Sequence, residues 1–139
     1  MKIYLAGNMH TNWRSEVASQ VKGCTFLWPH KAPNHNDHDG GDPDLYFPRD
    51  ITLLRSADMV FCVIEDMGRN LGTATEIGMA YAWGKPIILV NLCSHIHSFQ
   101  FLEKASTTVC HSLDRGLKVL NFAVSAEGAV AQQPSNSPE

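Results

Sequence analysis

The fold is decided by the stretch MVFCVIEDMGRNLGTATEIGMAYAWGKPIILVN at residues 59–91. Its two ends, Met59–Ile64 and Pro86–Asn91, are continuous apolar runs, which are typical of strands buried on both faces of a parallel sheet. Between them, a polar loop that contains glycine leads into a predicted helix at Thr73–Trp83, and Gly84 is the expected helix stop. The stretch therefore predicts a strand–helix–strand unit.

The same alternation extends along most of the chain. Further strands are predicted at Lys2–Ala6, Cys24–Trp28 and Thr107–Cys110, and further helices at Asn12–Val21, Arg49–Arg55, Phe99–Lys104 and Leu113–Asn121. Alternating strands and helices are most simply arranged as one doubly wound layer. We therefore predict an α/β fold with a mostly parallel five-stranded sheet and helices on both faces.

The composition describes one compact, mildly acidic domain. The chain has 139 residues, of which 44% are hydrophobic and 18% charged, and its formal net charge is −3. This charge disfavours nucleic acid as a partner, and the longest strongly apolar stretch, Ile87–Val90, is far too short to span a membrane. Four widely spaced cysteines without a C-x-x-C pair predict reduced thiols and a cytoplasmic location, rather than a disulfide framework or a zinc site.

Two segments depart from this globular composition. Pro29–Asp44 is rich in Pro, His, Asn, Asp and Gly, and is predicted to be a functional loop. Ala123–Glu139 is predicted to be a disordered tail, which leaves residues 1–122 as the folded domain. A domain of about 120 residues has no separate lid to enclose a small molecule, so we expect a neighbouring subunit to supply the missing wall.

Ligands of open parallel sheets bind beyond the carboxyl ends of the strands. Here this rule selects the loops at residues 7–14, 29–44, 65–72 and 92–98. The second of these loops contains His30, His35 and His38 together with four aspartates, a composition that suits either a divalent metal or a polar lid. Because no fixed helical spacing of histidines is present, we favour the lid and expect no metal.

Glu76 has two interpretations. Thr73 and Glu76 have the T-x-x-E spacing of a capping box, in which the glutamate bonds the backbone at the helix start. Alternatively, a carboxylate in the first helical turn is kept ionised by the helix dipole, faces the crevice and can act as a nucleophile. A second carboxylate, Asp50, and the phenol of Tyr4 at the same crevice would suit glycosyl transfer.

Three motifs support the second interpretation. They are I-Y-L-A-G at residues 3–7, an aspartate in the helix before A-D-x-V at 57–60, and G-T-x-x-E-x-G-x-A-x-x-x-G-K-P at 72–86. Together, over roughly residues 2–91, they resemble the nucleoside 2-deoxyribosyltransferase superfamily, which includes deoxynucleoside-monophosphate N-glycosidases. The resemblance implies a flavodoxin-like Rossmann fold, no cofactor, and a homo-oligomer with sites at its subunit contacts.

The resemblance also implies cleavage of the N-glycosidic bond of a nucleoside or nucleotide. By motif position, Glu76 matches the family nucleophile, Asp50 the acid/base aspartate, and Tyr4 the tyrosine that orients the nucleophile. Asn70 stands where family members acting on free nucleosides usually carry an aspartate and phosphate-recognising hydrolases a serine. The expected substrate-binding residues are Gly7, Asn8, Arg14, Trp28, His30, Asn70 and Gly72.

Each of these binding residues has a physical rationale. Arg14 and Arg69 are candidates to neutralise a phosphate, with solvated arginines as the alternative, and the Gly7-Asn8-Met9 turn offers backbone N–H groups. Trp28 or His30 is placed to stack on a nucleobase, with a position at the core edge as the alternative for Trp28. Phe47, near Asp50, has the same two interpretations.

The leading hypothesis is an enzyme that transfers the deoxyribosyl group of a (deoxy)nucleoside to another nucleobase. One alternative is a hydrolase, a nucleoside 5′-monophosphate N-glycosidase. A non-catalytic nucleotide-binding module and a phosphoribosyl-recognising protein of another reaction are further alternatives. In each case the partner is a small nucleoside or nucleotide.

Overall fold

The computed structural model describes residues 1–8, 11–29, 42–66, 70–94 and 99–131, apart from the side chains of 129–131. Strands and helices alternate throughout. They are β1 (Lys2–Gly7), α1 (Trp13–Gln20), β2 (Thr25–Leu27), α2 (Pro43–Ser56), β3 (Met59–Ile64), α3 (Leu71–Ala82), β4 (Ile87–Asn91), α4 (Gln100–Ala105), β5 (Thr108–Cys110) and α5 (Leu113–Ala131).

The five strands form one sheet in the order β2-β1-β3-β4-β5, and every neighbouring pair is parallel. This is the flavodoxin-like order, in which the direction of winding reverses between β1 and β3. The predicted α/β class with a parallel five-stranded sheet is confirmed. A crevice for a ligand is expected beyond the carboxyl ends of β1 and β3, where the helices diverge.

The sheet is covered on both faces because its strands are apolar on both faces. Ile3 and Leu5 of β1 belong to a core cluster completed by α1 and α5, whereas Tyr4 and Ala6 belong to a second cluster completed by α2, α3 and α4. Successive residues of a strand point to opposite faces, so one strand supplies both layers. Tyr4 is thereby directed toward α2 and α3.

The end of β1 requires glycine. Gly7 pairs with Val63 of β3 and has a φ of +132°, a conformation that residues with a Cβ rarely adopt. A Cβ at this position would overlap the Val63 carbonyl oxygen. The glycine therefore allows the loop after β1 to leave the sheet directly against β3.

The structure corrects the predicted start of α2. The helix begins at Pro43 rather than Arg49, with Asp42 as its cap, since the Asp42 side chain accepts a 3.0 Å hydrogen bond from the Asp44 amide. Proline at the first position suits a helix start, but Pro48 inside the helix conceals its continuity in the sequence. The end of the predicted loop 29–44 is thus helical, and residues 30–41 lie outside the described part.

The predicted boundary at residue 122 is also too early, because α5 continues to Ala131. Val124 lies on the same helix face as Leu117 and Leu120, and all three are buried in the first core cluster. Glu127, one turn further, pairs with the amino group of Met1 at 3.2 Å. These contacts order the first part of the segment that was predicted to be a tail.

The four cysteines are free thiols, with Cys62 and Cys110 buried and Cys24 and Cys93 partly buried. Burial raises the pKa of the Cys62 thiol, and burial together with nearby carboxylates raises the pKa of Cys93 to about 11. Neither thiol therefore has the activated character of a nucleophile. Among the described helices, none is long and apolar enough to cross a membrane.

Candidate active site

Tyr4 and Glu76 form the centre of the candidate site. The Tyr4 hydroxyl donates a 2.7 Å hydrogen bond to Oε1 of Glu76, joining β1 to α3 across 72 positions of sequence. Tyr4 is fully buried, and its burial and the Glu76 charge raise the pKa of the phenol well above its usual range. The phenol therefore stays protonated and acts as a fixed donor to the carboxylate.

The alternative role of Glu76 in a capping box is wrong. Helix α3 begins at Leu71, so Thr73 lies inside the helix and makes no side-chain cap, and Glu76 falls in the second turn. The helix starts early because Asn70 adopts the left-handed conformation, with a φ of +49°, and its carbonyl accepts the Ala74 amide. Asparagine tolerates this conformation better than most residues.

Glu76 is held in an environment that opposes its ionisation. The pKa of its carboxyl group is raised to about 7, because burial and the Asp50 charge, which raise it, outweigh the Tyr4 hydrogen bond and the Arg14 charge, which lower it. The expectation that a helix dipole keeps this carboxyl firmly ionised is not met, because Glu76 lies beyond the first turn. Near neutral pH, Glu76 is poised between its two forms.

Asp50 lies on α2, near enough for its charge to act on both Glu76 and Tyr4. Its side chain is only 14% exposed and accepts hydrogen bonds from the Nε and Nη2 atoms of Arg49 at 3.0 and 2.9 Å. The two carboxyl groups and the phenol predicted from the motifs are thus brought together. Arg49 was not among the predicted residues, although its position beside Asp50 could have suggested the pair.

Arg14 is buried under the end of β1 rather than facing a ligand. Its guanidinium donates to the carbonyl oxygens of Leu5, Asn8 and Gly7 at 3.1, 2.7 and 2.9 Å. Trp13 donates from Nε1 to the same Asn8 carbonyl at 2.9 Å. Neither predicted role of Arg14, a phosphate contact or a solvated side chain, agrees with this arrangement.

The loops after β1 and β3 are joined by side chains. Asn8 Nδ2 donates to Glu65 Oε2 at 3.1 Å, and Asn70 Nδ2 donates to the Glu65 carbonyl at 3.1 Å. The Asn8 backbone N–H points to the Val63 carbonyl at 3.4 Å, so it is directed into the sheet rather than toward an anion. Sequence reasoning missed Glu65, whose only signal was its place directly after a buried strand.

A family model decides the relationship of this chain to known proteins. The model for nucleoside 2-deoxyribosyltransferases matches residues 3–124. The chain belongs to the nucleoside 2-deoxyribosyltransferase family. The match includes β1 with Tyr4, α2 with Asp50 and α3 with Glu76.

Individual relatives are distant from this member of the family. An uncharacterised protein of Bacillus subtilis, YtoQ, is 24% identical over 144 residues, which cover 90% of this chain and 97% of that protein. The solved 2-deoxyribosyltransferase of Bacillus psychrosaccharolyticus is 22% identical, with a TM-score of 0.68, covering 87% of this chain and 90% of that one. A conserved protein of Enterococcus faecalis V583 is 17% identical, with a TM-score of 0.69, covering 91% and 98%. At these identities the structures establish the shared fold.

In this member of the deoxyribosyltransferase family, the other residues predicted to bind substrate lie in environments that differ from one residue to the next. Gly72 lies in the first turn of α3, and a Cβ there would meet open space. Trp28 packs against the core cluster of α1 and α5, on the sheet face opposite Tyr4, which matches the core-edge alternative. Phe47 is 47% exposed one turn before Asp50. His30, Arg69 and Met9 lie outside the described residues, so their roles stay predictions.

A metal centre is not evident in the part of the chain that the structure describes. No group of three His, Cys, Asp or Glu side chains there is arranged to hold a metal ion. The histidines at positions 30, 35 and 38 lie outside the described residues. The described site itself brings together two carboxyl groups and a phenol.

Proposed function

We propose that this protein cleaves the N-glycosidic bond of a (deoxy)nucleoside with Glu76 as the nucleophile and transfers the deoxyribosyl group to another nucleobase. Family membership supports an enzyme of the deoxyribosyltransferase type that takes small nucleosides. The observation that carries the proposal is the 2.7 Å bond between the Tyr4 hydroxyl and Glu76, with Asp50 close by.

In the first half of the reaction, the ionised Glu76 attacks C1′ of the sugar. The Tyr4 hydroxyl holds Oε1, which leaves Oε2 as the attacking oxygen. A C1′–Oε2 ester forms while the C1′–N bond breaks, and the departing base takes the bond's electron pair and a proton from Asp50, which in the reactive form holds the one proton that the two carboxyl groups share. Cleavage builds positive charge on the sugar, and a carboxylate beneath C1′ stabilises that charge.

In the second half, the incoming base attacks C1′ as Asp50 takes its N–H proton and the ester bond breaks. Glu76 is released as a carboxylate, and both carboxyl groups return to their starting forms. Two successive displacements retain the configuration at C1′, as in retaining glycosidases. Water as the acceptor would give hydrolysis by the same steps.

The raised pKa of Glu76 suits this role. A carboxylate that is desolvated in the free protein is a stronger nucleophile than a hydrated one, and it is stabilised further as the sugar becomes cationic. Because the pKa of Glu76 is about 7, the nucleophilic form is populated at neutral pH. The proton carried by Tyr4 is not needed elsewhere, so the phenol can remain a donor throughout.

The proposal is tested by incubating the protein with a 2′-deoxynucleoside, with and without a free acceptor base, and separating the products by chromatography. Glu76→Gln should lower turnover by about a thousandfold or more, because an amide is not a nucleophile but still accepts the Tyr4 bond. Glu16→Gln, on the exposed face of α1, is the matched control and should retain activity.

The outcomes separate the competing functions. Turnover by a folded Glu76→Gln protein would overturn the assignment of the nucleophile. Free base released without an acceptor would replace transfer by hydrolysis, and exclusive turnover of the 5′-monophosphate would favour the N-glycosidase alternative. Binding of nucleotides by calorimetry with no turnover of either donor would identify a binding module.

A further inference from the structure

β1 is longer than the strand beside it. In the register, Lys2, Ile3 and Tyr4 pair with Thr25, Phe26 and Leu27, and β2 then ends. The carbonyl groups of odd-numbered β1 residues point toward β2, as the bond from the Thr25 amide to the Met1 carbonyl shows. Continued in register, the Leu5 carbonyl would face the nitrogen of residue 29.

Residue 29 is a proline, which has no N–H group to donate. The carbonyl of Leu5 would therefore remain without a strand partner at a buried edge, where an unpaired polar group is costly. The guanidinium of Arg14 supplies the missing donor, and its other bonds fix the Gly7 and Asn8 carbonyls. A planar fork of donors is suited to bridging several acceptors in this way.

This side chain also places a buried positive charge close to the candidate nucleophile. Arg14 is 7% exposed. The groups that act on Glu76 come from three elements: Tyr4 on β1, Arg14 on α1 and Asp50 on α2. Among the described groups that act on Glu76, Arg14 is the one with a positive charge.

We propose that Arg14 is a positioning residue for Glu76: it completes the open edge of β1, which carries Tyr4, and it holds a fixed positive charge behind the Tyr4–Glu76 pair. The catalytic part of this inference rests on the proposed function. The structural part does not, since it follows from the hydrogen bonds and the burial of Arg14, and the electrostatic part rests on the charge interaction between Arg14 and Glu76.

The test compares Arg14→Gln and Arg14→Lys with the wild-type protein. The Glu76 carboxyl is titrated by carbon-13 NMR, with its resonance assigned from its absence in Glu76→Gln, and kcat/KM is measured across the same pH range. Arg14→Gln keeps two donors but no charge, so the Glu76 midpoint should rise by about half a pH unit or more. Arg14→Lys keeps the charge, so its midpoint should stay near that of the wild type.

Measurements of kcat/KM separate the positioning effect of Arg14 from the effect of its charge. A lysine cannot bridge the Leu5, Gly7 and Asn8 carbonyls as a guanidinium does, so Arg14→Lys should lower kcat/KM about tenfold or more even where Glu76 is ionised. Arg115→Gln, an exposed position on α5, is the matched control and should change neither the midpoint nor kcat/KM.

An unshifted Glu76 midpoint in Arg14→Gln, or full activity in Arg14→Lys, would overturn the proposal. If Arg14→Gln does not fold, Arg14→Lys decides the question through its ratio of kcat/KM to the wild type. If the wild-type protein turns over no nucleoside, the proposed function fails, but the NMR titration still decides whether Arg14 controls the ionisation of Glu76.

Discussion

The burial of Glu76 favours its proposed chemical role but lowers the stability of the folded protein. Its burial keeps the carboxyl group desolvated and close to Asp50, which favours nucleophilic attack but penalises the charged form in the folded protein. The Tyr4 hydroxyl offsets part of that penalty with a hydrogen bond. The site is therefore a place where the fold gives up stability at neutral pH.

We expect this penalty to be visible in the pH dependence of stability. The pKa of Glu76 is raised from 4.5 to about 7, so between these values the folded state binds more protons than the unfolded state. Stability consequently falls as the pH rises from about 4.5 to 7. Glu76→Gln should have a higher free energy of unfolding than the wild type at pH 8, by on the order of 1 to 3 kcal/mol, and nearly the same value at pH 5.

Urea denaturation at both pH values, at one protein concentration, measures this difference. Glu16→Gln is again the matched control, because the exposed side chain on α1 should give no such gain at pH 8. A Glu76→Gln protein that is less stable than the wild type at pH 8 would contradict the predicted direction.

The sequence predicted part of the site at the level of single residues. Tyr4, Asp50 and Glu76 were found because each belongs to a motif, and the structure brings them together as those motifs imply. The partners of Arg14 were not predicted, because they are backbone carbonyls, which leave no pattern in side-chain identity. Only the strand register and Pro29 reveal why an arginine is needed there.

Among the elements, those with strong apolar patterns were predicted closely. β3 was predicted with its observed bounds, Met59–Ile64, and β4 differs by one residue at its start. α2 was predicted to begin six residues too late, because its first turns contain two prolines and leave Leu45 exposed. The apolar pattern of a sequence does not reveal a helix turn that faces solvent on most sides.

At the scale of the secondary-structure elements, the end of α5 leads to a prediction about stability. Deleting residues 123–139 should lower the free energy of unfolding by about 2 kcal/mol or more, because it removes the buried Val124 and the ion pair between Glu127 and the Met1 amino group. Deleting only residues 132–139 is the matched control, since it leaves α5 complete. Equal stability of the two truncated proteins, measured by urea denaturation, would contradict a structural role for the end of the helix.

At the scale of the whole molecule, we expect the candidate site to be completed by a second copy of the chain. Glu76 lies on α3, and that helix leaves Leu71 and Tyr81 largely exposed, while the adjacent α4 exposes Phe101. We therefore expect a second subunit to pack beside α3 and to complete the wall around a nucleoside.

This expectation can be tested by dilution. Specific activity should fall as the protein is diluted through the concentration at which sedimentation shows dissociation to monomers, because the separated chains lose part of the binding wall. Phe101→Glu should shift dissociation to higher concentration, whereas Phe122→Glu, at an exposed aromatic of α5, serves as the matched control. A monomer with full specific activity would contradict a shared site.

The bond between Tyr4 and Glu76 also has a consequence for synthesis on the ribosome. Tyr4 is synthesised before its carboxyl partner, which follows 72 residues later, after α1, β2, α2 and β3. Every shorter nascent chain lacks the proposed nucleophile, even when it already contains Tyr4 and Asp50. Under the proposed function, we expect fragments released before α3 is complete to leave nucleosides uncleaved.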